Sequence, residues 1–131
     1  MLVKGELVIN PQFEWAGGGF ATSPLDLARW GRELYAGRAL SPAARKIMLD
    51  AAVPARLGPE TKYGLGVMVR PATPVGPAWG HGGFFPGYQT ELIYLPELGV
   101  SLAIQVNTSA PRATGNRSLL RALFDIAAMV R

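Results

Sequence analysis

Six consecutive residues, Trp79-Gly80-His81-Gly82-Gly83-Phe84, hold the densest potential chemistry in the chain. An imidazole can give or take a proton near neutral pH. Glycines on either side leave the backbone N–H groups open to close approach by a ligand. His81 can therefore donate a hydrogen bond or a proton beside open backbone. The same residues also suit a Gly-rich strand end in which His81 only satisfies a turn. Local sequence leaves both readings open.

Other reactive patterns are weaker. No Gly-x-Ser-x-Gly elbow and no His-Glu-x-x-His metal motif is present. No Ser-x-x-Lys occurs. Its nearest forms are Ser109-x-x-Arg112 and Ser118-x-x-Arg121, and arginine does not act as a base near neutral pH. No Tyr is followed by x-Asn. Gly17-Gly18-Gly19 can cradle an anion ahead of a helix, but no phosphate-loop Gly-x-x-x-x-Gly-Lys pattern accompanies it. Tyr63, Tyr88 and Tyr94 read as sheet packing rather than catalytic acids. Asp26 reads as a capping residue. Asn107 follows a strand pattern, and either points into a cleft or turns the chain.

Composition removes further classes. With no cysteine, the chain has no disulfide scaffold, thiolate zinc site or cysteine nucleophile. With one histidine it has no multi-histidine metal centre. The net charge of +4 is spread from Lys4 to Arg131, and only Arg45-Lys46 are adjacent. No basic run, RNP-like aromatic box or helix-turn-helix pattern is present, so a solvated surface is expected and nucleic-acid binding is not. No apolar run approaches the ~18 residues of a membrane span. The opening residues lack the apolar stretch of a signal peptide. The 131 residues, 49% of them apolar, fit one domain with a real core.

The elements that must position His81 can be read in outline. Residues 1–15 form a lead-in with one or two short strands, and residues 16–62 a helical part. Ser23-Pro24-Leu25-Asp26 predicts a helix start: Ser23 as cap, Pro24 at the first position, Asp26 three residues after the cap. Leu27, Ala28, Gly31, Leu34 and Tyr35 then share one face, and Gly37 ends the helix. Ser41-Pro42 opens a shorter helix to about Asp50 with Ile47 and Met48 inward. Residues 51–62 read as loop. Residues 63–107 read as sheet, with strands at 63–70, 78–83 and 88–95. A turn at Pro96-Glu97-Leu98-Gly99 then leads to a strand in which Val100, Leu102, Ile104 and Val106 alternate with Ser101, Ala103 and Gln105. Over residues 116–131, Leu119, Leu120, Leu123, Ile126, Ala127 and Val130 make a helical face. The expected class is α+β, with helices packed on an antiparallel sheet of three to five strands.

Three stretches together resemble the serine β-lactamase and penicillin-binding-protein-like superfamily, in its class C β-lactamase, D-alanyl-D-alanine carboxypeptidase and esterase group. Residues 16–30 (AGGGFATSPLDLARW) are similar to that group's A-G-G-x-x-S-T-x-x-D-L-A segment. Tyr63-Gly64-Leu65-Gly66, then Gly80-His81-Gly82-Gly83 and Pro86-Gly87-Tyr88, are similar to its Y-G-L-G and G-H-x-G-x-x-x-G segments. Tyr94-Leu95-Pro96-Glu97 with Gly99-Val100, and the strand running to Asn107, complete the likeness. The last helix resembles the family's C-terminal helix. Residues 16–107 carry the likeness, which implies the C-terminal portion of a β-lactamase-like (transpeptidase-like) fold.

The resemblance implies roles as well. In that family a Ser of Ser-x-x-Lys attacks an acyl carbon, and a Tyr-x-Asn motif adds a base and a substrate contact. A third motif, Lys/His-Thr/Ser/Gly-Gly, lies on the edge strand beside the cleft; here it matches His81-Gly82-Gly83. His81 is then expected to orient substrate and Tyr, and Phe84 to lend its backbone N–H to the oxyanion hole. Gly82, Gly83 and Asn107 are expected to contact substrate, with no metal or organic cofactor. The Ser-x-x-Lys and Tyr-x-Asn motifs are absent from these residues. The expectation is a serine-hydrolase part, acting on a small acyl compound (β-lactam, D-Ala peptide or ester) in a full-length parent and inactive alone. The alternative is a non-catalytic binding or assembly module. Expected partners are a second copy or a complementing N-terminal segment. The resemblance fits a periplasmic or secreted location without fixing it.

Overall fold

The computed structural model describes residues 2–4, 6–110 and 118–129. Short strands β1 (Leu2–Val3) and β2 (Glu6–Leu7) pair antiparallel. A 3-10 turn (Pro11–Glu14) and one helical turn, α1 (Trp15–Gly18), follow. α1 therefore includes two of the three glycines of the Gly17–Gly19 run. The Glu14 carboxylate lies against Gly17 and Gly18, which opposes the anion cradle considered for this run.

Helix α2 (Pro24–Tyr35) begins where the sequence placed it. The Ser23 hydroxyl oxygen accepts from the Asp26 amide at 3.1 Å, and Pro24 takes the first turn. Helix α3 (Pro42–Asp50) repeats the device with Ser41 accepting from the Ala44 amide. Met48 is buried and Leu49 packs beside it against the same cluster, while Ile47 is exposed, correcting the expected pair. Helical residues step by about 100°, and the buried arc of α3 is centred on Met48 and Leu49, which turns Ile47 to its solvent side.

Six strands form one antiparallel meander: β3 (Val53–Pro54), β4 (Lys62–Tyr63), β5 (Met68–Arg70), β6 (Ala78–Phe85), β7 (Tyr88–Leu95) and β8 (Val100–Val106), in that spatial order. The sheet thus has one strand more than the upper expectation. The extra strand, β3, and its partner β4 have two residues each, too short for any period to show in sequence. The expected strand at 63–70 is split by a turn at residues 64–67, where the Gly64 amide donates to the Val67 carbonyl at 2.8 Å.

Alternation along β7 sorts the core into two layers. Ile93 and Leu95 face helix α4 (Leu119–Met129), joining Val75, Ala78, Leu123 and Ala127. Tyr94 faces the other way, joining Tyr35 of α2, Met48 of α3 and Val67. Tyr35, Trp79 and Tyr94 pack as three rings with centroids 5.8–6.2 Å apart. Burying an Ile or Leu side chain stabilises by about 1.5–3 kcal/mol, so these residues pin β6 and β7 between helical layers. Gly31 lets α2 approach closely: a Cβ there would lie 2.5 Å from Ser101 Oγ and 2.7 Å from Leu92 Cδ1. Val130 and the start of the expected last helix fall outside the described residues.

Candidate functional site on the β6 edge

Strand β6 carries the whole Ala78–Phe85 segment, two residues beyond its expected end. It lies inside the sheet order, between β5 and β7, yet its two neighbours differ in reach. β7 pairs along Trp79 to Phe85, while β5 pairs only with Ala78, Trp79 and Gly80. From His81 onward, one side of β6 has no strand beside it among the described residues.

Hairpin geometry decides which groups face that open side. Phe85 and Tyr88 close a two-residue turn of Pro86 and Gly87, whose φ of 91° suits the third position of a type II turn. No pair lies inside them, so Phe85 and Tyr88 exchange their own hydrogen bonds. Counting back along the unbroken register, His81 and Gly83 also point N–H and C=O at β7. Gly80, Gly82 and Phe84 point theirs the other way. Gly80 meets Met68 of β5; Gly82 and Phe84 meet the open edge.

The His81 ring is held at both nitrogens. Nε2 lies 2.9 Å from the Tyr63 hydroxyl, and Nδ1 lies 2.5 Å from the Gly82 carbonyl oxygen. The Tyr63 and His81 rings meet edge-on, with centroids 5.6 Å apart and planes at 76°. Tyr63 was read as packing, and its contact with His81 was missed. Register could have found it: Tyr63 pairs with Met68, and Met68 with Gly80, next to His81.

A buried charge pair underlies Gly82. Glu91 of β7 sits opposite Gly82, and a Cβ on that glycine would lie 2.6 Å from Glu91 Oε2. Arg70 Nη2 stands 3.6 Å from Glu91 Oε1, a charge contact rather than a hydrogen bond, and donates to Met68 Sδ at 3.1 Å. Arg70 Nη1 and Glu91 Oε1 are buried without hydrogen-bond partners. Burial pushes the Glu91 carboxyl above its usual range, against the opposing charges of Arg70 and then His81. Burial likewise lowers the Arg70 guanidinium value, opposed by Glu91. Removing one member of such a buried pair costs ~3–5 kcal/mol, because the other charge is left uncompensated.

The structure strings His81, Gly82, Gly83 and Phe84 along one edge, with the Phe84 side chain 71% exposed. It does not bring Asn107 to them. Asn107 is exposed just past β8, two strands from β6 and level with the β6–β7 turn. A surface hollow lies elsewhere, between α2 and the β7–β8 turn, lined by Arg32, Glu33, Tyr94 and Gly99. The motif occupies an open strand edge, where a hollow is completed only by whatever stands opposite. Among the described residues no group of three His, Asp or Glu side chains could hold a metal ion, and no helix is long and apolar enough to cross a membrane.

A family profile described as Beta-lactamase matches residues 3–125. The chain belongs to the beta-lactamase family. Among solved structures it is similar to a D-stereospecific amidohydrolase from Streptomyces sp., at 32% identity and a TM-score of 0.55. That likeness covers 63% of this chain and 24% of the other, so the chain spans about a quarter of that relative's length. No curated protein matches the chain. Membership of the beta-lactamase family fits the α+β architecture and makes the chain part of a serine-hydrolase-like family.

Proposed function

We propose that the chain supplies one wall of an acyl-transfer site of the serine-hydrolase kind. The observation that carries this reading is the overhang of β6, which leaves the Gly82 and Phe84 amides facing an edge with no strand among the described residues. In this reading an acyl compound lies along that edge. Phe84 N–H is one of two oxyanion donors, and Gly82 and Gly83 admit the substrate backbone closely. Such donors act by meeting charge that develops on the acyl oxygen, each worth about 2.7–4 kcal/mol of barrier. His81 orients the substrate from the first position of the motif. Asn107 touches a substrate only where it extends past the β6–β7 turn. The resemblance supports a β-lactam, a D-Ala peptide or an ester as substrate, and the amidohydrolase neighbour supports an amide.

With neither Ser-x-x-Lys nor Tyr-x-Asn in its 131 residues, the chain by itself binds such compounds without turning them over. Loss of a covalent nucleophile removes several orders of magnitude in rate, about 10⁶-fold in a comparable enzyme. Incubation with a chromogenic β-lactam and a p-nitrophenyl ester tests this. No burst is expected, and stoichiometric acylation of a serine would overturn it.

A second reading, a non-catalytic binding or assembly module, draws on the same edge. Open strand edges take up further strands, and Phe84 and Tyr88 are exposed beside this one. Sedimentation at rising concentration separates the two. Self-association abolished by Phe84→Asp favours assembly, and a monomer throughout favours the acyl-site reading.

A further inference from the structure

His81 makes two contacts that together fix more than its position. A carbonyl oxygen can only accept, so the 2.5 Å contact with Gly82 requires the proton on Nδ1. In the neutral ring Nε2 is then the acceptor, and the group 2.9 Å from it is the Tyr63 hydroxyl, which can donate. We propose that Tyr63 is a positioning residue for His81. With the Gly82 carbonyl it holds the neutral ring as the Nδ1–H tautomer and keeps the ring in place when the ring gains a proton.

The second half follows from the hydroxyl's double capacity. A tyrosine O–H donates to neutral Nε2. When Nε2 is protonated, the same oxygen accepts from it. The bond reverses direction and the ring stays where it is. At residue 63 a serine lacks the reach, a lysine lacks the reversible bond and the edge contact, and a phenylalanine lacks the hydrogen bond. Glu91 and Arg70 are the charged groups close beneath the same strand, and Glu91 is near enough to interact with His81 by charge, but both hydrogen bonds of the ring go to Tyr63 and Gly82. For a site built as proposed above, on which this inference rests, the consequence is a motif histidine able to change charge without moving.

The chain has one histidine, so its imidazole gives one set of nitrogen resonances. A long-range ¹H–¹⁵N spectrum of the labelled chain reads the tautomer directly. The neutral ring should show a protonated Nδ1 and an acceptor-type Nε2. Tyr63→Phe keeps the ring and its edge contact but removes the hydroxyl, and it should move the Nε2 resonance to that of an unbonded acceptor. On protonation, the variant's ring should lose the fixed side-chain geometry that the parent keeps, read from couplings and ring–amide proximities. An Nε2–H tautomer in the parent, or unchanged imidazole resonances in Tyr63→Phe, would overturn the proposal. Should Tyr63→Phe fail to fold, fluorotyrosine in place of tyrosine weakens the hydroxyl's hold on its proton. That must shift Nε2, and an unshifted Nε2 counts against Tyr63. None of these readouts needs a substrate. A locked ring in a chain that binds no acyl compound would retire the proposed function alone, and a free ring in a chain that binds one would retire this inference alone.

Discussion

The three glycines flanking His81 differ sharply in the room they leave, and their alanine variants should fall in a fixed order. At Gly80 a built Cβ would lie 1.9 Å from the Leu92 carbonyl oxygen and 3.0 Å from Ile93 Cα, both backbone atoms of the paired strand. Relief means separating β6 from β7 by about 1.5 Å to reach ordinary contact, since no side chain can swing away. That weakens the two ladder pairs beside it, at about 0.5–1.5 kcal/mol per bond, and adds about 1–3 kcal/mol of overpacking against buried Ile93. The expected loss for Gly80→Ala is about 3–5 kcal/mol, a large share of the roughly 5–15 kcal/mol of a whole domain. At Gly82 the obstacle is Glu91 Oε2 at 2.6 Å, the end of a side chain. Gly82→Ala should cost about 1–3 kcal/mol as the carboxylate is pushed off Arg70. At Gly83 the nearest atom is Thr90 Cβ at 3.7 Å. Gly83→Ala should be neutral or gain up to about 1 kcal/mol from the stiffer unfolded chain. Urea unfolding followed by far-ultraviolet circular dichroism gives the three midpoints. Equal midpoints for Gly80→Ala and Gly83→Ala would refute the close approach of β6 and β7.

Further predictions concern the charge pair, the buried phenol and a helix cap. Glu91→Ala should cost about 3–5 kcal/mol by stranding buried Arg70, while the double change to apolar residues, Arg70→Met with Glu91→Leu, should recover most of that loss in the same unfolding assay. Burial raises the folded-state value of Glu91 above its ordinary 4.5, so its contribution favours the fold at low pH. It declines as pH rises from 4.5 through the raised value, and Glu91→Gln should flatten that part of the Tm–pH curve. Burial pushes Tyr35 up to about 12, so an absorbance titration should show a tyrosine step near there that Tyr35→Phe removes; its stabilising effect should drain away from about pH 10 to 12, and a Tyr35→Phe variant that keeps that step would contradict the burial. Ser23→Ala should lower stability by about 1 kcal/mol through loss of the α2 cap, measured by the shift in urea midpoint.

Features carried by neighbouring residues were legible in the sequence; features carried by register were not. The start of α2 could be read because its cap, proline and acidic residue sit within four positions, and β8 because seven residues alternate cleanly. The candidate motif could be read because glycines crowd one histidine. β3 and β4 could not, since their two residues each are strands only by virtue of their partners. Tyr63 was missed because it meets His81 across 18 residues and two hairpins. Glu91 was missed for the same reason: it matters because it lies opposite a glycine, and that is a fact about pairing. The overhang of β6 likewise depends on β5 stopping after three residues.

The central claim is that the free edge of β6 is where an acyl compound binds. Amide and imidazole resonances of the labelled chain, followed while an N-acyl-D-alanine amide is added, test it most directly. The Gly82, Gly83 and Phe84 amides and the His81 ring should shift together and saturably, with the α4 face unmoved. Saturable shifts confined to the hollow by Arg32 and Gly99, or no shift on the β6 edge at any concentration reached, would contradict it.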